Sequence, residues 1–251
     1  MSEKHGYAGK DLEAMSFAVN YHRWILSIFE PYLGTRVVEV GAGTGSFSEL
    51  LLERRLESLS LVEPSTAMHQ QLCRRIKELS PSVTLKTYND VFENVAAQIR
   101  SDQRPDSIIY VNVLEHIEDD VNELKVINNT LAVGGRVFIF VPALRWLYGS
   151  MDRQLGHFRR YTRTELEKKC VASGFRVIAS RYFDVLGVLP WWVKYRLLQS
   201  NEMEPSAVRF YDQRVVPVAR MFESVVTGPI GKNVVLIAEK PEHGFTRIYT
   251  D

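Results

Sequence analysis

Eight consecutive residues, Glu39-Val40-Gly41-Ala42-Gly43-Thr44-Gly45-Ser46, form a turn suited to holding a ligand against the backbone. Alternating glycines allow a tight bend and a close approach with no Cβ in the way. Two phosphate-binding motifs are excluded: serine stands at 46 where a dinucleotide fingerprint needs glycine, and no Gly-Lys-Ser/Thr occurs. Glu63, 18 residues beyond Gly45, can accept hydrogen bonds from both hydroxyls of a ribose. Alone it reads as a solvated strand-end carboxylate; its place beside the glycine turn favours the ligand. Asp90, in Tyr88-Asn89-Asp90-Val91, can accept from an exocyclic amine such as that of adenine. The plain alternative is an ordinary turn aspartate.

A second group of reactive side chains lies at 148–161: Tyr148, Asp152, His157, Arg159, Arg160 and Tyr161. The segment is too polar and aromatic for a simple connector, and long loops of this kind tend to carry function. His157 is the best candidate base, because imidazole titrates near neutral pH. Its competing role is to brace the loop with Asp152 and Arg160. His116 is read as a positioning or packing residue.

These groups need elements to position them. Residues 10–33 read as helical, with Leu12, Met15, Phe17, Trp24, Ile25 and Phe29 on packed faces. Short β-branched runs follow at 36–40, 59–62, 83–86, 107–111 and 136–141, separated by helical stretches at about 46–55, 65–79, 93–100 and 119–131. That alternation predicts a parallel sheet covered on both faces. A helix is expected at 163–172, a strand at 175–180, a long aromatic helical segment over 184–226 and a last strand at 233–239.

The bulk numbers fit one domain of 251 residues, with 45% hydrophobic and 24% charged side chains. A net charge of +1 gives no general pull toward nucleic acid or an anionic membrane, so neither is an expected partner. Cys73 and Cys170 flank no His or Cys cluster, which predicts no disulfide framework and a reducing, cytoplasmic setting. The N-terminus lacks a signal-peptide pattern and no apolar run reaches membrane-span length. Stable membrane insertion is therefore not expected.

Taken in order, Glu39-x-Gly41-x-Gly43-x-Gly45, Glu63 and Asp90 resemble the cofactor motifs of class I S-adenosylmethionine-dependent methyltransferases. The stretch DSIIYVNVLEHIED at 106–119 resembles the fourth-strand motif of their small-molecule branch, without the Asn/Asp-Pro-Pro-Tyr/Phe of base-amine enzymes. The 148–161 loop resembles the Gly-His-x-Arg-Arg-Tyr loop of a bacterial subgroup often encoded beside sugar-transferring enzymes. The resemblance spans about residues 15–240. It implies a Rossmann-like α/β fold whose seven-stranded sheet has its last strand antiparallel, with helices on both faces. It implies S-adenosylmethionine as cofactor, bordered by Ala42, Pro64, Asn112, Val113 and Tyr21 besides the motif residues. The chain is then one domain over 1–251: a helical cap (10–33), a cofactor-binding half (34–142), and an acceptor loop, aromatic insertion and last strands (143–251). The expected reaction is metal-independent methylation of O, N or C on a small molecule or glycan, by a monomer or homodimer. No compact Asp/Asp/Asn set flanks the fourth strand, and Asp119-Asp120 reads as a helix cap. An NAD(P)-linked oxidoreductase and a non-catalytic cofactor-binding module are the alternatives.

Overall fold

The computed structural model describes residues 18–79, 82–200, 202–225 and 228–242. Its strands are β1 (Arg36–Val40), β2 (Ser58–Val62), β3 (Thr84–Tyr88), β4 (Ser107–Val111), β5 (Arg136–Pro142), β6 (Arg176–Phe183) and β7 (Asn233–Glu239). They form one sheet in the order β3-β2-β1-β4-β5-β7-β6. Strand β7 runs antiparallel between β5 and β6, and the pairings β3-β2-β1-β4-β5 are all parallel. This is the Rossmann-like methyltransferase sheet expected from the sequence.

Alternation along the strands divides the core in two, since successive side chains point to opposite faces. Val38, Val40, Ile108, Tyr110, Val137 and Ile139 face α4 (Phe92–Gln103), α5 (Asp120–Thr130) and α7 (Arg163–Ala172). Val37, Leu59, Leu61, Ile109, Phe138 and Phe140 face α1 (Val19–Phe29), α2 (Ser46–Leu52), α3 (Thr66–Leu79) and α10 (Val216–Val225). Helices on both faces explain why the central strands read as unbroken apolar runs.

The structure shifts several expected bounds. Strand β3 extends to Tyr88 because its register with β2 continues to Val62. Strand β6 runs on to Phe183, carried by its ladder with β7. Asp119 caps α5 as expected, accepting from Asn122 N–H at 3.0 Å, whereas Asp120 turns inward to Tyr161, Arg159 and Lys169. The helix expected from residue 10 is seen from Val19, its earlier part lying outside the described residues.

The segment expected as one long helix at 184–226 is broken. A turn of α-helix, α8 (Val188–Trp191), widens into a π-helical stretch at Trp192–Leu197. Gln199 then adopts a left-handed φ of 50°, a conformation that ends helices. Helix α9 (Pro205–Phe210) restarts on Pro205 and passes through a second π stretch, Tyr211–Val215, into α10. Proline fits a first helical turn, where its missing N–H costs nothing. Between β5 and α7, the loop holds the short helix α6 (Ser150–Gln154).

Phe138 is fully buried on a central strand, its ring 5.2 Å from that of Phe29. Phe138→Ala is expected to lower unfolding free energy by about 3–5 kcal/mol, read from the urea midpoint at constant slope. A loss under about 1 kcal/mol would show that this face repacks freely.

Candidate active site

Strands β1 and β4 are neighbours, yet the chain leaves β1 toward β2 and leaves β4 toward β5. Such a switch point opens a crevice at the carboxyl edge of an open sheet. A cleft lies there, floored by Glu39, Gly41, Ala42 and Gly43 and walled by Asn112, Glu115 and His116. Its far end is closed by His157, Arg160, Trp191, Lys232 and Asn233.

The glycine turn is held from behind. Gly41 and Ala42 donate to the Val62 carbonyl at 2.8 and 3.1 Å, and Gly43 donates to Glu63 Oε2 at 2.8 Å. Gly41 has φ of 72°, and a Cβ added there would lie 2.3 Å from Val113 Cγ2. Val113 thus supports the turn from beneath. Glu63 Oε1 accepts from Ser65 N–H at 2.8 Å. Burial pushes this carboxyl up, partly offset by the two backbone hydrogen bonds. A carboxylate has about four acceptor positions, so two remain for a ligand's hydroxyls. Glu39 is buried with the Ser48 hydroxyl donating to it at 2.6 Å, and burial raises its carboxyl to about 8.

The far end centres on Asp152, which is completely buried. It accepts from Arg160 Nε at 2.7 Å and Gly149 N–H at 2.9 Å, and pairs with His157 Nδ1 at 2.9 Å. Burial pushes its carboxyl up, but the hydrogen bonds from His157 and Arg160, with the guanidinium charge, outweigh burial and hold it low. With Nδ1 engaged by a carboxylate, the His157 ring presents its other nitrogen. Tyr148 donates to the His157 carbonyl at 2.8 Å. The Arg160 guanidinium also stands 4.9 Å from the Trp191 ring.

Three residues at the carboxyl edge adopt left-handed φ without being glycine: Asn112 (54°) after β4, Leu144 (63°) after β5 and Asp184 (62°) after β6. Such conformations cost of order 1–3 kcal/mol and gather at functional sites. Asp184 is the anchor of a second buried cluster. It accepts from Tyr21 Oη at 3.0 Å, from Tyr211 Oη and from Gly187 N–H, and pairs with Lys232 Nζ at 3.0 Å. The Lys232 ammonium lies over the rings of Tyr21, Trp191 and Tyr211 at 4.9–5.6 Å. Beyond it opens an apolar chamber lined by Trp191, Tyr195, Met203, Ala207, Val208 and Tyr211. Tyr21, Trp191, Met203 and Lys232 line both spaces.

Of the residues singled out in the sequence, Tyr21, Glu39, Gly41, Ala42, Gly43, Asn112, His157 and Arg160 line the cleft. Others stand around it. Gly45 faces Leu72, and the Pro64 carbonyl accepts from Asn89 Nδ2. Asp90 is exposed, its Oδ1 accepting from Val91 N–H and Asn94 Nδ2 at 2.8 Å, and it does not line the cleft. The acceptor loop requires a correction. Tyr161 is fully buried, donating to Asp120 Oδ2 at 2.7 Å, and Arg159 donates to the Glu118 carbonyl at 2.7 Å and pairs with Asp120 at 2.8 Å. They tie the loop to the sheet edge instead of facing the cleft, and Tyr148, also outside the cleft lining, closes the loop on itself through the His157 carbonyl. The residue types gave no sign of this, because a hydroxyl or guanidinium serves either purpose.

Sequence reasoning missed Glu115, Lys232 and Asn233, whereas the aromatic stretch from Asp184 to Arg196 stands out in the sequence as material that could shape an apolar acceptor pocket. Glu115 carried a signal, since it stands in the quoted fourth-strand motif. Lys232 and Asn233 carried none; the antiparallel insertion of β7 alone brings them to the cleft.

The methyltransferase-domain family matches residues 13–180, and the chain belongs to it. Several solved structures share its fold. A phosphoethanolamine N-methyltransferase 2 from Haemonchus contortus, solved with S-adenosyl-L-methionine, aligns at 17% identity and TM-score 0.63, over 96% of this chain and 59% of its own. A possible histamine N-methyltransferase from Thermotoga maritima aligns at 16% identity and 0.59, over 93% and 96%. The [4+2]-cyclase SpnF aligns at 16% and 0.57, over 88% and 81%. No curated protein matches in sequence. No described helix is long and apolar enough to cross a membrane.

The Glu39 carboxyl generates a stability prediction. Its pKa rises from 4.5 to about 8 in the fold, so the native state binds more protons than the unfolded chain in that window. Its contribution is full below pH 4.5 and is lost as pH rises toward 8, with a slope of up to about 1.4 kcal/mol per pH unit. Glu39→Gln is expected to lack that slope, so the difference in unfolding free energy between variant and parent should change steadily with pH across this window. Parallel profiles from pH 5 to 8 would show that Glu39 is already ionised in the fold.

Proposed function

We propose that the protein transfers a methyl group from S-adenosylmethionine to a small-molecule or glycan acceptor. The observation that carries this reading is the shared wall of Tyr21, Trp191, Met203 and Lys232, which sets the glycine-floored cleft directly beside the apolar chamber. A ligand on the glycine turn and an acceptor reaching in from the chamber side would meet beside His157. Glu63 has acceptor capacity left for ribose hydroxyls. Glu39 and Asn112 border the methionine portion. When bound, the cofactor supplies an electrophilic methyl on sulfonium sulfur, and the chain's task is to orient the acceptor and exclude water.

The acceptor's apolar part would sit among Trp191, Tyr195 and Tyr211, with the atom to be methylated near His157. We assign acceptor activation to His157, oriented by Asp152. Arg160 is committed to Asp152 and the Ala143 carbonyl, so it positions the loop.

Calorimetry provides the test of the cofactor. S-adenosylmethionine should bind and NAD should not, and Glu63→Ala should weaken binding by about 1.5–3 kcal/mol. Tight NAD binding without a response to S-adenosylmethionine would sink the reading. With an acceptor found by screening sugars, phenols and amines, His157→Ala should cut turnover by about 10²–10⁴ while cofactor affinity holds. Unchanged turnover would move activation elsewhere along the cleft.

A further inference from the structure

Glu115 is the most unusual group at the cleft. It is 0% exposed, it lines the cleft, and neither carboxylate oxygen has a hydrogen-bond partner from another side chain or loop among the described residues. An unpartnered buried carboxylate is costly unless something charged meets it. Its neighbours are His116 and His157, and one ligand atom from each of the three lies within 4.8 Å of the others. The two imidazoles cross edge to face, with centroids 4.6 Å apart.

Each ring is fixed from outside. His157 Nδ1 is held by Asp152 Oδ1 at 2.9 Å, and His116 is hydrogen-bonded to the Leu155 backbone. Metal-binding histidines are oriented in this way, one nitrogen on a carboxylate or carbonyl so that the other aims at the ion.

We propose that Glu115, His116 and His157 form a site for a transition-metal dication, with its open positions toward the cleft. Two imidazoles and one carboxylate suit Zn²⁺, Mn²⁺, Fe²⁺ or Co²⁺ better than Mg²⁺ or Ca²⁺, which prefer all-oxygen sets. Donors about 2.1 Å from an ion stand about 3.4 Å apart in a tetrahedral set, so the cluster closes by roughly an ångström on binding. This departs from the metal-independent reaction expected from the sequence.

The site's use rests on the methyl-transfer reading; its existence does not. An acceptor hydroxyl on the open face would be acidified by the ion, as metal-bound water is. The methyl carbon would leave sulfur, which keeps the electron pair of the broken C–S bond. It would bond to the acceptor oxygen, whose proton passes to solvent. His157 then activates the acceptor through the ion, its lone pair being spent on the metal.

The test uses the full chain, stripped with chelator and titrated with Zn²⁺ by calorimetry and with Co²⁺ by visible absorption. One equivalent should bind. Glu115→Gln and His157→Ala should weaken binding by at least 100-fold while keeping S-adenosylmethionine affinity, and Asp152→Asn should weaken it by about 10–100-fold. No binding below 1 mM ion, or unchanged binding in both Glu115→Gln and His157→Ala, overturns the site. Should those variants fail to fold, the Co²⁺-loaded parent decides: paramagnetic shifts on two imidazoles support the site, and their absence overturns it. If the chain binds S-adenosylmethionine but takes up no ion, the metal site alone is defeated; if it takes up the ion but not S-adenosylmethionine, the methyltransferase reading is defeated and the site stands. Equal turnover by stripped and reloaded protein would overturn the ion's role in activation.

Discussion

Asp152 is the constraint around which the far half of the cleft is built. Removing a carboxylate from water costs several kcal/mol, repaid only where good partners satisfy its lone pairs. Here the partners are Arg160, His157 and the Gly149 N–H, all drawn from the loop that Asp152 itself occupies. Meeting one buried charge therefore fixes the orientation of an imidazole, a guanidinium and the start of α6. The Arg160 guanidinium in turn donates to the Ala143 carbonyl and faces Trp191, linking the loop to the end of β5 and to the aromatic segment.

The same device recurs along the edge. Glu63 ties the glycine turn to the end of β2 through Gly43 and Ser65. Asp184 gathers Tyr21, Tyr211, Gly187 and Lys232 where β6 ends. Asp212 accepts from the Tyr21 backbone N–H at 2.8 Å and that of Asn20 at 3.1 Å, so a distant segment satisfies the exposed donors of α1. Parallel strands bring their ends to one edge, and these carboxylates hold loops there that would otherwise leave polar backbone unpaired. Glu115 breaks the rule. It is equally buried, yet among the described residues no side chain donates a hydrogen bond to its carboxylate.

What was legible in the sequence follows from the range of the interactions. The strands around the glycine turn could be read because their residues repeat over short spans and their faces are buried on both sides. The order of β7 was legible only through family resemblance, since nothing in Asn233–Glu239 states which strands it joins. The 184–226 segment was misread as one helix because aromatic and aliphatic residues recur there at helical spacing; Gln199, with a left-handed φ, and Pro205 interrupt it. At the acceptor loop, residue types alone did not distinguish facing the cleft from bracing it. Tyr161 and Arg159 brace because Asp120 turns inward, and the Asp119-Asp120 pair reads in sequence as two equivalent capping carboxylates.

The fold alone does not choose the chemistry. Structures sharing this sheet include one solved as a [4+2]-cyclase and one solved as an N-methyltransferase with its methyl donor. Function lies in sites carried by a fold, so the discriminating groups must be sought among the side chains at the carboxyl edge. Those groups are few: the Asp152–His157 pair, the bare carboxylate of Glu115 and the Lys232 ammonium over three rings. A positioning role explains the first and the last, since each is satisfied within the protein. It does not explain Glu115, whose burial without a partner costs stability and contributes nothing to packing that an apolar residue would not supply. On the metal-site proposal that cost is met when a cation draws Glu115, His116 and His157 together.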